Sequence, residues 1–256
     1  MFRPCIDLRH GKVVQIVGGT LDDAGASTLT RFQSDRPPSW YAELYRKDGL
    51  TGGHVIALGP GNEAAARDAL RAWPGGLQYG GGVNLDTAEA WLEAGASQVI
   101  VTSWVFRDGR LDRRRLADLV QRVGKHCLVL DLSCRKRDGR YWVVTDRWQR
   151  FTSLEVDEAV CHDLAGSCSE FLIHAVDVEG LCRGIDLGLV ESLARWCPIP
   201  ATYAGGARSI DDLKTVQHVG GGRIHLTIGS ALDLFGGSDV RYADCVEFNR
   251  SCTLPR

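Results

Sequence analysis

The sequence predicts an α/β protein, a single (β/α)8 TIM barrel with a half-barrel internal repeat. Three observations predict it. Eight short runs rich in β-formers alternate with eight longer stretches of helical period, in βα order along the chain. The short runs lack clean polar alternation, as do strands covered on both faces, and right-handed crossovers between such strands yield a parallel sheet. Features also recur 124 positions apart: Asp7 and Asp131 each follow an apolar run and precede Leu, and Gly81-Gly82 returns as Gly205-Gly206. Ser103 and Ser230 repeat at nearly the same offset. Eight βα units in two similar halves close into a barrel.

In chain order, strands are expected at 2–8, 54–58, 77–79, 98–101, 127–132, 170–176, 201–203 and 223–228, each with Gly, Pro or Asp close by. The amphipathic stretches between them are 40–46, 63–72, 87–94, 113–123, 155–164, 187–196, 211–219 and 240–249. No linker, low-complexity tract or composition shift divides the chain. One barrel domain over residues 1–256 is therefore expected, with halves of about 1–124 and 125–256. The competing fold, an open doubly wound sheet, wants G-x-G-x-x-G after its first strand. Here Leu8-Arg9-His10-Gly11-Lys12 stands instead.

Composition narrows the function. A formal net charge of −2 argues against nucleic acid or an anionic membrane as the main partner, since both demand a basic excess. No apolar run approaches 18 residues, so no membrane span is expected. A cytoplasmic location follows, or a plastid one if a transit peptide preceded the chain. The nine cysteines contain no C-x-x-C pair, and their odd count in a chain this long reads as reduced, mostly buried thiols. No structural metal is expected from this spacing. The partner is a small anionic molecule, and the chain is expected to act as a monomer.

In barrels the active site lies at the C-terminal strand ends, so the polar residues there are the candidates. Strand one ends in Asp7, strand five in Asp131, and strand six carries His174 followed by Asp177 and Glu179. Strands one and five face each other across an eight-stranded ring. One carboxylate can take a proton from carbon while the other, held protonated by a less polar pocket, delivers one to oxygen. Gly80-Gly81-Gly82 and Gly205-Gly206 expose backbone N–H groups, while Ser103 and Ser230 lead Trp104-Val105-Phe106 and Ala231-Leu232-Asp233, segments sized for one-turn helices. Both arrangements suit anions, which points to a substrate with a phosphate at either end. The long connection 133–151 carries Asp138-Gly139 as a hairpin turn with Trp142 and Trp148 beyond it, the pattern of a lid. An indole there can stack on a heterocycle while Arg135 or Lys136 supplies charge.

These residues resemble a known family. PCIDLRHGKVVQIVGGT at 4–20, QYGGGVN at 78–84, VIVTSW at 99–104, LDLSCRK at 130–136, FLIHAVDVEGLCRGID at 171–186, YAGGARSIDDLK at 203–214 and IGSALDLFGG at 228–237 are similar to the ProFAR isomerases of histidine biosynthesis, in particular the branch of fungi and plants. The resemblance implies an Amadori rearrangement of a bisphosphorylated substrate, from aminoaldose to aminoketose, without metal or organic cofactor. It implies Asp7 as the base at ribose C2 and Asp131 as the acid on the ring oxygen, with His174 as a further catalytic candidate. Gly81, Gly82 and Ser103 would hold one phosphate, Gly205, Gly206, Gly229 and Ser230 the other, and Trp148 would stack on the imidazole carboxamide. Gly18, Gly19, Thr102, Arg135, Glu179 and Gly180, within the same motifs, complete the expected binding set. Departures from many bacterial members are His174 in place of Thr, Asn84 in place of Arg and Gln15 in place of Arg.

Two other functions compete. The cyclase of imidazole glycerol phosphate synthase shares the acids and cradles, but typically shows K-G-x-x-F after strand one, where this chain reads Gln15-Ile16-Val17-Gly18-Gly19-Thr20. A noncatalytic phosphosugar-binding barrel would dispense with one carboxylate, and both are present.

Overall fold

The computed structural model describes residues 1–17 and 29–253. The chain begins with β1 (Phe2–Arg3) and β2 (Cys5–Arg9), followed by β3 (Lys12–Ile16), β4 (Thr30–Gln33), α1 (Pro38–Lys47), β5 (Gly53–Ala57), α2 (Glu63–Ala72) and β6 (Leu77–Gly80). Next come α3 (Ala88–Glu93), β7 (Val99–Val101), the small hairpin β8 (Phe106–Arg107) and β9 (Arg110–Leu111), α4 (Arg113–Val123) and β10 (Leu128–Asp131). A separate antiparallel sheet of β11 (Cys134–Arg137), β12 (Arg140–Thr145) and β13 (Arg150–Glu155) precedes α5 (Glu158–Leu164). The chain then runs through β14 (Glu170–His174), α6 (Leu187–Trp196), β15 (Ala201–Ala204), α7 (Ile210–Val219), β16 (Ile224–Thr227) and α8 (Tyr242–Thr253).

The expected first strand is broken at Pro4, and that break is where the ring shuts. Its first piece pairs in parallel with β16, Phe2 opposite Leu226 and Arg3 opposite Thr227. Its second piece pairs in parallel with β5, Cys5 opposite His54 and Asp7 opposite Ile56. Proline has no N–H to give a ladder, so the seam is where it does least harm. Around the ring β5, β6, β7, β10, β14, β15 and β16 follow in sequence order, each parallel to the next. This is a (β/α)8 barrel, in which β2 and β10 stand four strands apart in either direction.

All eight expected helices form, α2, α4 and α6 with the expected ends and the other five with shifted ones. Helix α5 starts at Glu158 and not at Glu155, because Glu155 is still paired to Trp142 in the small sheet and Asp157 caps the helix by accepting from Val160 N–H. Helix α8 starts at Tyr242 and not at Val240, because Val240 bridges Leu232. Strand six stops at His174, short of the expected Val176. Five strands were not expected: β3 and β4, which extend the sheet antiparallel from β2, β13, which pairs antiparallel with β12, and the two strands of the β8–β9 hairpin. The last turns through Asp108-Gly109, both with positive φ, a two-residue hairpin turn like the one expected and found at Asp138-Gly139.

Between the ring and its helices lies one extensive cluster of buried residues, from Phe2 to Val246. Inside the ring the filling is layered. Ile56, Ile100, Val129 and Leu172 form an apolar middle layer. Below it, at the N-terminal strand ends, Arg3 Nη1 donates to Glu170 Oε2 at 3.2 Å, and Glu170 also accepts from Gln78 Nε2 at 3.1 Å and Thr202 Oγ1 at 2.6 Å. Four strands thus meet on one carboxylate. The middle layer separates this plug from the mouth, where Asp7, Asp131 and His174 stand. Replacing Arg3 by Ala strands the Glu170 charge, so Arg3→Ala should lose about 3–5 kcal/mol in urea unfolding. Lys214→Ala, breaking an exposed pair with Asp211, should stay within about 0.5 kcal/mol.

Candidate active site

Asp7 and Asp131 line the same cavity of about 440 Å³ at the C-terminal ends of the strands. Their surroundings differ in kind. Asp7 is half-buried and, among the described residues, receives one side-chain donor, Gln15 Nε2 at 3.4 Å. Burial pushes its carboxyl up from 3.8 to about 7, with the Gln15 bond opposing. Asp131 sits among donors. It accepts from Thr102 Oγ1 at 2.9 Å, from Ser133 N–H at 2.8 Å, and from the Ser133 hydroxyl in a very short contact.

Ser133 carries that contact onward, because its Oγ lies 3.0 Å from His174 Nδ1. Burial lowers the His174 pKa, while the negative charge of Asp131 works against the shift. Its ring stands 5.3 Å from that of Trp148 and 6.1 Å from that of His54. Glu179 lines the cavity too, and burial first, then the nearby Asp7 charge, raise it to about 7. Asp7 and Glu179 thus line one cavity, and the charge of Asp7 opposes ionisation of Glu179.

The glycine turns stand on either side of these groups. Gly81, Gly82, Thr102 and Ser103 line the large cavity. Gly205, Gly206, Gly229 and Ser230 line a smaller one that shares Asp7, Gln15, His174 and Glu179 with the first. The two turns are alike in detail. Gly81 has φ +122° and a Cβ there would lie 2.6 Å from the Ala57 carbonyl; Gly205 has φ +123° and a Cβ would lie 2.9 Å from the Ala175 carbonyl. Each alanine closes the preceding strand or follows it directly, so only glycine lets the turn pack so close. Ser103 does open a 3-10 turn, Ser103–Val105. After Ser230 the expected turn at 231–233 is displaced to Asp233–Phe235, since Leu232 is held by its bridge to Val240.

The lid sheet reaches the mouth through its β12–β13 connection. Thr145, Asp146, Arg147 and Trp148 line the large cavity, and Trp148, like Leu58, also packs on the patch formed by Val14 and Ile16. Asp146 N–H donates to Ser103 Oγ at 3.1 Å. Arg135 is not in either cavity lining. It pairs with Asp177, Nε to Oδ1 at 2.8 Å, at the outer side of the lid. Trp142 likewise lies away from the cavity, under the Arg137 guanidinium. Gly180 abuts the backbone of Ile16 and lines the smaller cavity. Gly18 and Gly19 lie outside the described residues. Reading the sequence missed Ser133 and His54 as site residues. Ser133 had a signal, since Asp-x-Ser after a strand is a pattern in which the carboxylate accepts from the N–H two residues on; His54, inside an apolar run, had none. Gln15, noted only as a departure, lies 3.4 Å from both Asp7 and Ser230 Oγ.

A (β/α)8 barrel with paired acids at its mouth and matching glycine turns on both sides is the class that fold and geometry define. The model of the histidine biosynthesis protein family matches residues 1–245, and the chain belongs to that family. It is 52% identical over 252 residues, 97% of this chain and 98% of the relative, to the 1-(5-phosphoribosyl)-5-((5-phosphoribosylamino)methylideneamino) imidazole-4-carboxamide isomerase of Neurospora crassa. The chloroplastic isomerase of that name from Medicago truncatula is 53% identical over 254 residues, 97% of this chain and 81% of the relative. That of Saccharomyces cerevisiae is 48% identical over 255 residues, 97% of both.

The raised Asp7 pKa has a consequence for stability. Between its ordinary 3.8 and about 7 the folded chain holds a proton that the unfolded chain has released, so this site's contribution is intact below about pH 4 and is lost as pH rises through 7. Asp7→Asn removes that loss. In urea titrations the variant should exceed the wild type by a few kcal/mol at pH 8, with the gap closing toward pH 4.

Proposed function

We propose that this chain catalyses the Amadori rearrangement of N'-(5'-phosphoribosyl)formimino-5-aminoimidazole-4-carboxamide ribotide, the aminoaldose-to-aminoketose isomerisation of histidine biosynthesis. One observation carries the reading: opposed carboxyls of unlike environment face a cavity that runs between two alike glycine turns. The isomerase names of relatives at about half identity support it.

In this reading Asp131 delivers a proton to the ribose ring oxygen and the C1–O bond breaks, leaving an iminium at C1. The less polar pocket that the sequence predicts around the proton-delivering acid surrounds Asp7 instead, and Asp131 is held among donors. Asp7 takes the C2 proton, and the electron pair forms the C1=C2 bond of an enolamine. Protonation at C1 and loss of the C2 hydroxyl proton then give the ketone, so protons balance over the cycle. A base with a pKa near 7 is suited to this step at neutral pH. Ser133 and Thr102 orient Asp131, and His174 supports Ser133. The first cradle, Gly81, Gly82, Thr102 and Ser103, and the second, Gly205, Gly206, Gly229 and Ser230, take one phosphate each. Trp148 stacks on the carboxamide heterocycle.

The matching φ angles and packing of the two turns support one barrel domain made of halves 1–124 and 125–256. Both acids and both cradles come from one chain, which supports action as a monomer on a small bisphosphorylated molecule, with neither nucleic acid nor a membrane as partner. Among the described residues no helix is long and apolar enough to cross a membrane. We place the chain in the cytoplasm, or in a plastid like its Medicago relative.

The test is conversion of the aminoaldose by purified protein without ammonia or glutamine; no conversion would reject the isomerase in favour of the cyclase or a binding barrel. Asp7→Asn and Asp131→Asn should each lower kcat by at least about a hundredfold while substrate still binds. Gly205→Ala should raise KM about tenfold, a loss of about 1.4 kcal/mol of phosphate grip. In the wild type kcat/KM should climb with pH through a limb near 7, as Asp7 ionises.

A further inference from the structure

Each acid of the mouth is tied to a cradle, but not in the same way. Asp131 accepts directly from Thr102 of the first cradle at 2.9 Å. Asp7 reaches the second only through Gln15, whose Nε2 donates to Asp7 Oδ2 at 3.4 Å while its Oε1 accepts from Ser230 Oγ at 3.4 Å. Gln15 Nε2 also donates to Cys5 Sγ at 3.7 Å. The side chain is only 3% exposed, and an amide taken out of water is unfavourable unless its polar atoms find partners.

Two features of the chain put the amide there. The pairing of β3 with β4 slips register between Gln15 and Ile16, and an irregularity of that kind re-aims the side chains beside it. Gly229 leaves the room: a Cβ there would lie 2.2 Å from Gln15 Oε1. A carboxylate only accepts and a hydroxyl can donate, so with Asp7 ionised the amide keeps its nitrogen toward the acid and its oxygen toward the cradle.

We propose that Gln15 is a positioning residue that carries the state of the second cradle to Asp7, because a phosphate there draws the Ser230 hydroxyl from the amide oxygen and loosens the hold of the amide on the carboxylate. Hydrogen bonds in series polarise one another, so the Ser230 hydroxyl on Oε1 strengthens the bond from Nε2 to Asp7. A phosphate oxygen is the stronger acceptor for that hydroxyl. Once the hydroxyl turns to phosphate, Nε2 donates more weakly and Asp7 becomes the stronger base as substrate is seated. The Gln15 bond opposes the burial that raises Asp7 to about 7, so weakening it moves Asp7 further up. Other titratable groups share these cavities: Cys5 of β2, His54 of β5, Asp131 of β10, Arg147 of the lid, His174 of β14, and Glu179 and Cys182 beyond it, while Tyr45 of α1 feels the Asp7 charge. Glu179 also titrates near 7, so the midpoint has to be read on Asp7 itself.

The tie between cradle and acid stands apart from the isomerase reading; its use in catalysis rests on that reading. Carbon-13 NMR of the Asp7 carboxyl gives the midpoint, and inorganic sulfate, whose charge is constant over this range, is the probe for the cradle. In the wild type sulfate should raise the midpoint by about one pH unit. The sulfate charge contributes to that rise, and Gln15→Met separates the two: its midpoint should start about half a unit higher, with sulfate then adding about half as much. Ser230→Ala should raise the sulfate-free midpoint in the wild type and add nothing to Gln15→Met. An unmoved midpoint in Ser230→Ala, additive shifts in the double variant, or a full sulfate response in Gln15→Met would overturn the coupling. In the isomerase assay Gln15→Met should lower kcat more than it raises KM, with the limb of kcat/KM moving up alongside the Asp7 midpoint. A rise in KM alone would overturn the positioning of the base. A wild type that converts no aminoaldose would instead count against the isomerase, leaving the NMR midpoints to decide the coupling.

Discussion

The seam at Pro4 is the constraint on which the mouth of this barrel depends. One strand has to serve two neighbours, β16 with Phe2 and Arg3 and β5 with Cys5 to Leu8, and only when both ladders close is the sheet a ring. Closure fixes Asp7 four strands from Asp131 and presses it against Gln15 of β3. It also brings Arg3 under the ring to Glu170, so the ion pair that plugs the base and the acid that faces the cavity ride on one strand. An ion pair this buried is expensive to form, and its value lies in being hard to break: Glu170 also accepts from Gln78 and Thr202, so one carboxylate holds partners from three other strands.

From this frame comes an asymmetry that the twofold repeat would not suggest. The glycine turns are near copies, in φ and in the carbonyl each packs against. The acids are not. Asp7 is desolvated with a single amide donor, while Asp131 is held by two hydroxyls and a backbone N–H. A reaction that binds two like groups at its ends and moves protons differently in its middle needs this combination: symmetry for the phosphates, asymmetry for the carboxyls. Equal surroundings would give two carboxyls that titrate together and serve neither role well.

How much of this was legible depended on whether the signal was local. The eight βα units could be read because each helix announces itself in its own period, and Asp7, Asp131 and the paired glycines because they repeat in register. Helix ends could not be read where tertiary pairing overrode local preference, as at Glu155, claimed by the lid sheet, and Val240, claimed by Leu232. The β3–β4 extension, an antiparallel pair set between strand one and its helix, interrupts the βα alternation that marks the other strands. Arg135 looked like a charge for the substrate, but β11 turns it to Asp177. His54 was invisible in an apolar run, since its position inside the ring is a property of the closed sheet and not of its neighbours in sequence.

The lid joins these two levels. Asp146, Arg147 and Trp148 all have positive φ, between 53° and 66°, a conformation that non-glycine residues adopt at a cost of order 1 kcal/mol each. Contacts at the mouth offset it: Asp146 N–H on Ser103 Oγ, and the Trp148 indole against the Val14–Ile16 patch and beside the His174 ring. Ser103 accepts from the lid through its oxygen while its own hydroxyl proton stays available, so the same side chain can hold the lid and donate to an anion at once. Because Asp146 and Trp148 are two residues apart, a strained turn that docks on the first cradle also sets where the indole lies relative to His174. Lid, cradle and acids are therefore one mechanical unit, in which the strain of three backbone angles is borne by contacts to the groups that face the cavity.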